Sequence, residues 1–164
     1  MDNNVRILIV DDDESIRKTM QTILEDEGYI VDLATTGNEA IELTQEETYN
    51  IALLDIRLPD IEGVELLKLI RDNIPKTRKI MVTGYPSMQN AISALNKNAD
   101  VYLTKPVGVE KLLSIVKEQR QLQKEEKKFN EQKVAEFIER RTREITIHDK
   151  ENERNRKRTQ RIRH

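Results

Sequence analysis

Five side chains could carry out one piece of chemistry if the fold brings them together. Asp11 and Asp12 follow the apolar run Ile7-Leu8-Ile9-Val10, and Asp55 follows Ile51-Ala52-Leu53-Leu54. Thr83 closes Ile80-Met81-Val82, and Lys105 follows Val101-Tyr102-Leu103-Thr104. Carboxylates brought close together repel, so such a site needs a counter-charge or a raised pKa. A hard divalent cation answers that need, and magnesium favours a few carboxylates with water and phosphate oxygens. The Lys105 ammonium suits a phosphate oxygen, and the Thr83 hydroxyl can donate to another. A carboxylate nucleophile, a metal and a fixed cation are the parts of phosphoryl transfer. Singly, each residue has a plain structural role. An Asp pair after a strand often caps a helix, Asp55 could be a polar strand end, Thr83 a β-branched strand residue, and Lys105-Pro106 a surface turn. The specificity lies in their joint order, each at the end of an apolar run.

Those runs predict the elements that must position them. Residues 5–10, 30–34, 51–54, 79–82 and 100–103 read as short buried strands, rich in β-branched and apolar residues. Between them lie stretches with helical spacing. Residues 15–27 carry Ile16, Met20, Ile23 and Leu24, with Gly28 as a stop. Thr36-Gly37-Asn38 turns into a helix with Ala40, Ile41 and Leu43, and residues 64–70 offer Leu66, Leu67 and Ile70. Pro75 ends that region, while Pro86 suits the first turn of a helix running through Ala91, Ile92, Ala94 and Leu95. A last helix begins near Val109. Five alternations predict an α/β fold, a doubly wound (βα)5 sheet of five parallel strands with helices on both faces. Right-handed crossovers leave few topologies, and for five strands the order 2-1-3-4-5 is taken from known doubly wound sheets. In such a sheet Asp11, Asp12, Asp55, Thr83 and Lys105 share one edge, where ligands gather.

With these motifs in place, the sequence resembles the receiver domains of two-component response regulators. The resemblance rests on Ile7-Leu8-Ile9-Val10-Asp11-Asp12, Leu53-Leu54-Asp55-Ile56-Arg57-Leu58-Pro59, Val82-Thr83-Gly84 and Tyr102-Leu103-Thr104-Lys105-Pro106, and covers residues 5–117. It implies that Asp55 is the phosphoacceptor. Asp11 and Asp12 would bind Mg2+ (or Mn2+) with Asp55 and the Arg57 main-chain carbonyl, and Asp12 would be the more direct ligand of the first two. A run of four acids leaves that register open by one residue, with Asp13 and Glu14 read as outside the metal's ligands. Lys105 would pair with the phosphoryl group across a cis Lys105–Pro106 bond. Thr83 and Tyr102 would form the switch. Gly84 would keep access open, while the bulky Arg57 and Tyr85 flank the entrance and could slow the attack of water. Two departures stand out: Asn98-Ala99-Asp100 where the family often has Gly-Ala, and Gly108 shortly after Pro106 where an aromatic residue is common.

The charge distribution divides the chain. Residues 1–117 carry a net charge of −7 and residues 118–164 a net of +5, within a total of −2. We therefore expect a receiver domain over 1–117 and a charged, helical, partly disordered extension over 118–164. No Pro or Gly follows Gly108, which permits a long helix. The spaced apolar residues Leu122, Phe129, Val134, Phe137, Ile138, Ile145 and Ile147 do not sustain a heptad repeat. Residues 151–164 hold six Lys/Arg and two Glu, a solvated end or a nucleic-acid contact. His148 and His164 are isolated and take no metal role. With no cysteine there is neither a disulfide framework nor a thiolate metal site. No apolar run is long enough to span a bilayer, and Met1-Asp2-Asn3-Asn4 does not open a signal peptide, so the expectation is a cytoplasmic protein without membrane contact.

The resemblance implies a phosphorylation switch rather than an enzyme acting on an external substrate. Its partners would be a sensor histidine kinase and a downstream protein target, met through the face of the last two helices and the fifth strand. Homodimerisation through the last helices is a further option. One alternative is a transcription regulator contacting DNA through the basic tail. Another is a metabolic phosphohydrolase or phosphotransferase, but that class needs a second acid near the nucleophile and a covering cap. Asp60 stands too far along its loop, and no segment supplies the cap.

Overall fold

The computed structural model describes residues 4–162; the expectations for Met1, Asp2, Asn3 and His164 fall outside the described residues. In chain order the elements are β1 (Arg6–Val10), α1 (Glu14–Asp26), β2 (Ile30–Ala34), α2 (Gly37–Glu46), β3 (Ile51–Leu54), α3 (Gly63–Leu69), β4 (Arg78–Thr83), α4 (Met88–Asn96), β5 (Val101–Thr104) and α5 (Val109–Ile162). The five strands are parallel and ordered β2-β1-β3-β4-β5, as expected. In register, Leu54 pairs with Val10 and Met81, and Thr83 pairs with Thr104. That register aligns the carboxyl ends of β1, β3, β4 and β5.

The side-chain alternation of the strands builds two cores. Leu8, Val10, Ala52, Leu54 and Met81 face α2, α3 and α4, where Ala40, Leu66, Leu67 and Ala94 meet them. Ile7, Ile9, Ile51, Leu53, Ile80 and Val82 face the other way, onto Met20 and Leu24 of α1 and Leu112, Ile115 and Val116 of α5. A strand covered on both faces has no polar side to show, which is why β3 reads as an unbroken apolar run.

Two local expectations are corrected. Pro86 is not in the first turn of its helix. Ser87 caps α4, accepting from the Asn90 amide at 3.0 Å, and the helix starts at Met88. Strand five starts at Val101, one residue later than expected; just before it the Asp100 carboxylate accepts from the Lys79 amide at 2.7 Å. The Lys105–Pro106 bond is cis, and so is Ile74–Pro75, which the sequence marked only as a stop.

The departure at Asn98 strains the turn without opening it. Asn98 holds a left-handed backbone with φ of 70°, and the Ala99 amide returns to the Ala94 carbonyl at 2.9 Å. Asparagine tolerates that region better than any residue with a larger or β-branched side chain, and glycine does so without strain. Asn98→Gly is expected to raise stability by up to about 1 kcal/mol and Asn98→Ala to lower it by about 1 kcal/mol. Urea midpoints at constant slope check both.

The chain divides into two compact units, Met1–Lys124 and Glu125–His164. Residues 118–124 thus pack with the first unit, beyond the expected boundary at 117. Gln119 and Gln123 are buried there. The Gln123 amide donates to the Asn50 carbonyl at 3.0 Å and the Lys76 carbonyl at 2.7 Å, and Gln119 accepts from Arg78 Nε at 3.1 Å. In the second unit the chain is helical as far as described, including residues 151–162, where a partly disordered end was expected. Its Val134, Phe137, Ile138, Ile145 and Ile147 are all exposed. Helical-spacing pairs such as Lys157–Glu153 at 3.1 Å lend that helix slight support. No helix among the described residues is long and apolar enough to cross a membrane.

Candidate functional site

The carboxyl edge of the sheet brings the candidate residues together. Asp11 at the end of β1 and Asp55 at the end of β3 are both buried, whereas Asp12 is exposed. The three carboxylates offer oxygens within 4.8 Å of one another. Asp13 is turned away: its side chain caps α1, accepting from the Ile16 amide at 3.0 Å. Glu14 pairs with Lys18 at 2.6 Å on the helix surface. The cluster is therefore formed by Asp11 and Asp12, and the next two acids have structural partners of their own.

Lys105 reaches in from the end of β5. Its Nζ lies 2.6 Å from Asp11 Oδ2 and 3.1 Å from Asp55 Oδ2, bridging both carboxylates. Burial raises the Asp55 pKa above its ordinary value; the Lys105 ammonium opposes the shift, and the Asp11 charge adds to it. Burial alone would lower the Lys105 pKa, but its bonds to Asp11 and Asp55 outweigh that and raise it. One oxygen, Asp55 Oδ1, is buried and has no hydrogen-bond partner. A buried acceptor left unpaired is costly, and a divalent cation among the three carboxylates would satisfy it. The donor set is all oxygen, as magnesium prefers.

Thr83 is fully buried at the end of β4 and its hydroxyl accepts from the Tyr85 amide at 3.0 Å. Gly84 lines the cleft, and a Cβ there would meet only Lys105 Cδ, at 3.8 Å. Tyr85 lines the cleft, and the Arg57 guanidinium stacks 3.8 Å from the centre of its ring. Tyr102 packs against the core on the α2, α3 and α4 side, and its hydroxyl is buried without a partner. The cleft has a volume of about 750 Å³ and runs from the carboxylates to an apolar end lined by Ile16, Met20, Val107 and Leu112. Among the described residues no other group of acids or histidines could hold a metal, and His148 belongs to none.

The profile of the response regulator receiver domain matches residues 7–117. The chain belongs to this family. The transcriptional regulatory protein YkoG of Bacillus subtilis is 36% identical over 111 residues, which are 68% of this chain and 49% of that protein. The chain thus spans about half the length of that curated relative, and less of others. A CheY-like receiver domain protein from Methanospirillum hungatei superposes with a TM-score of 0.72 at 47% identity, covering 74% of this chain and 98% of that one. The response regulator TrrA of Thermotoga maritima, solved in complex with Mg(2+)-BeF, is 33% identical with a TM-score of 0.63, covering 70% of this chain and 98% of that one. The receiver domain is a phosphorylation-switch domain of a two-component response regulator, and receiver domains bind Mg2+ at an acidic pocket such as this one.

Three features of the site lay outside the sequence reading. The Arg17 guanidinium holds the Asp11 carbonyl at 2.8 Å. Gly63 sits directly beneath the Asp55 carbonyl. Asp60 binds the start of α2 through two main-chain amides. Only Gly63 had a signal, as a glycine at the junction of a loop and a helix.

Proposed function

We propose that Asp55 accepts a phosphoryl group from a phosphohistidine of a sensor kinase. The observation that carries this reading is Lys105 Nζ bridging two buried carboxylates while Asp55 Oδ1 is left without a partner. Asp11, Asp12, Asp55 and the Arg57 carbonyl would hold Mg2+, whose charge offsets that of the carboxylates and the incoming phosphoryl oxygens. An Asp55 carboxylate oxygen attacks phosphorus. The phosphorus–nitrogen bond breaks, and its electron pair stays with the imidazole, which leaves neutral because its other nitrogen carries the proton. Lys105 and then the Thr83 hydroxyl meet the equatorial oxygens. When Thr83 turns to the phosphoryl group it gives up the Tyr85 amide, and the space behind it is open to Tyr102. The altered face of α4, β5 and the start of α5 then binds a protein target.

The chain is a switch without an external substrate, and water attacking the phosphorus resets it. Asp60 offers no support for a metabolic phosphatase, since both its oxygens are engaged at α2. With a small phosphodonor and Mg2+, the wild type should gain one phosphoryl group and Asp55→Asn none. A wild type that gains nothing would overturn the proposal.

Tyr85 lines the cleft with Asp55 and carries the Arg57 guanidinium on its ring, and together the two side chains would cover one side of the approach. Removing both side chains should admit water more freely. The double variant Arg57→Ala, Tyr85→Ala is expected to lose its phosphoryl group about tenfold faster, about 1.4 kcal/mol in barrier. Decay of the phosphorylated mass over time measures it, and an unchanged half-life would remove the stack from the account.

A further inference from the structure

We infer that Asp60 is a positioning residue for the metal-binding loop, holding it against the start of α2. This rests on the receiver reading above. The loop of residues 55–62 begins with the phosphoacceptor and includes the Arg57 carbonyl. Its base is tight: the Gly63 amide donates to the Ile56 carbonyl at 2.6 Å, and Arg57 bridges to Glu62. Its tip would otherwise project into water, since Pro59 and Asp60 are exposed. The Asp60 carboxylate instead spans to α2. Oδ1 accepts from the Gly37 amide at 2.8 Å and from the loop's own Ile61 amide at 3.0 Å, and Oδ2 accepts from the Asn38 amide at 2.8 Å.

The Gly37 and Asn38 amides are the first two of α2, which have no partner within the helix. Thr36, the cap, takes only the third, from Glu39, at 3.1 Å. A carboxylate is the fitting acceptor there, because the helix dipole favours negative charge at that end. An apolar contact reinforces the polar one. Gly37 has no Cβ, and a Cβ there would fall 2.4 Å from Ile61 Cγ1, so Ile61 rests in the space glycine leaves. The loop is thus fixed at its base by Gly63 and at its tip by Asp60 and Ile61. The Arg57 carbonyl lies between those two points. Releasing the tip leaves the segment that presents that carbonyl held at its base alone, while buried Asp11 and Asp55 keep their places at the ends of β1 and β3.

The test uses the full chain and its Asp60→Ala and Asp60→Asn variants. Calorimetry gives the Mg2+ dissociation constant without phosphodonor. Phosphorylation with a small phosphodonor at increasing Mg2+ gives the half-saturating concentration and the saturated rate. Hydrogen exchange reports the Gly37 and Asn38 amides. Asp60→Ala is expected to weaken Mg2+ binding about tenfold or more, with the saturated rate little changed, as for residues that support metal ligands without touching the ion. Asn, which keeps one acceptor oxygen, should recover most of the affinity. Faster exchange at Gly37 and Asn38 with unchanged Mg2+ affinity in Asp60→Ala would overturn the proposal and leave Asp60 a cap of α2 alone. A wild type that binds no Mg2+ would also overturn it. A wild type that binds Mg2+ yet gains no phosphoryl group sinks the receiver reading instead, and the clamp is then judged by the Mg2+ affinities.

Discussion

Replacing Gly63 by alanine is expected to destabilise the fold by about 3 kcal/mol or more and to displace Asp55. A Cβ at this position would lie 1.8 Å from the Asp55 carbonyl oxygen, 2.7 Å from its carbon and 2.9 Å from Ile56 Cα. All three are backbone atoms at the end of β3, so no side chain can swing away to relieve the clash. Either α3 or the phosphoacceptor must move. Val64, Leu66 and Leu67 of α3 are buried in one core, which resists the first. Moving Asp55 separates its carboxylate from Lys105 and from Asp11. The urea midpoint should fall with little change in slope, and phosphoryl capture should fall at least about tenfold, since misplacing reacting atoms by about 1 Å costs up to about a hundredfold. Gly84→Ala is the control. Its Cβ meets only Lys105 Cδ at an ordinary 3.8 Å, so the same substitution at the other side of the cleft should leave stability nearly unchanged.

Lys105→Met should have the second large effect, in two separable parts. The ammonium stands between two carboxylates that are almost wholly inaccessible, at 2.6 and 3.1 Å. Methionine keeps most of the side-chain bulk and removes the charge. Two buried carboxylates are then left facing each other, and breaking a buried ion pair from one side costs about 3 kcal/mol. The pH dependence has a definite sign. Asp55 already has its pKa raised by burial, and losing Lys105 removes the main influence that lowers it. A carboxyl group whose folded pKa exceeds its unfolded value weakens the fold above that folded pKa. The deficit is relieved as pH falls through the folded pKa toward the unfolded one. Lys105→Met should therefore recover stability on mild acidification, and added Mg2+ should restore part of it at neutral pH by replacing the lost charge. Melting temperatures across pH, with and without Mg2+, test this. The second part is kinetic. Losing one preorganised cation at the phosphoryl oxygens should slow capture about a hundredfold or more, even in saturating Mg2+.

Much of this arrangement was legible in the residues because the strands are short, apolar and buried on both faces. The run Ile51-Ala52-Leu53-Leu54 could only be a covered strand or a piece of buried helix, and the alternation of elements decided between them. Once the sheet was parallel, Asp11, Asp55, Thr83 and Lys105 had to share an edge. What stayed hidden depended on contacts that carry no period. Nothing in Leu58-Pro59-Asp60-Ile61 announces that Asp60 meets α2, because its partners are main-chain amides of any sequence. The boundary expected at residue 117 rests on the change of charge, but Gln119 and Gln123 are uncharged and pack through hydrogen bonds that a charge count cannot see. Pro86 suited a helix start, yet Ser87 beside it offers an oxygen to the Asn90 amide and sets the cap. The acidic run was ambiguous for a related reason. Asp11 through Glu14 are alike as letters and differ only in what each one faces.

The central claim is that one carboxylate of the three, Asp55, changes covalently. Trapping answers it most directly. The wild type is treated with a small phosphodonor and Mg2+, reduced at once with borohydride, digested and sequenced by mass. Borohydride converts an acyl phosphate to an alcohol and leaves free carboxylates alone, so the modified residue is marked permanently. A mark at Asp55 is expected, with Asp11 and Asp12 untouched and no mark when Mg2+ is withheld. A mark at Asp11 or Asp12, or none anywhere, would contradict it.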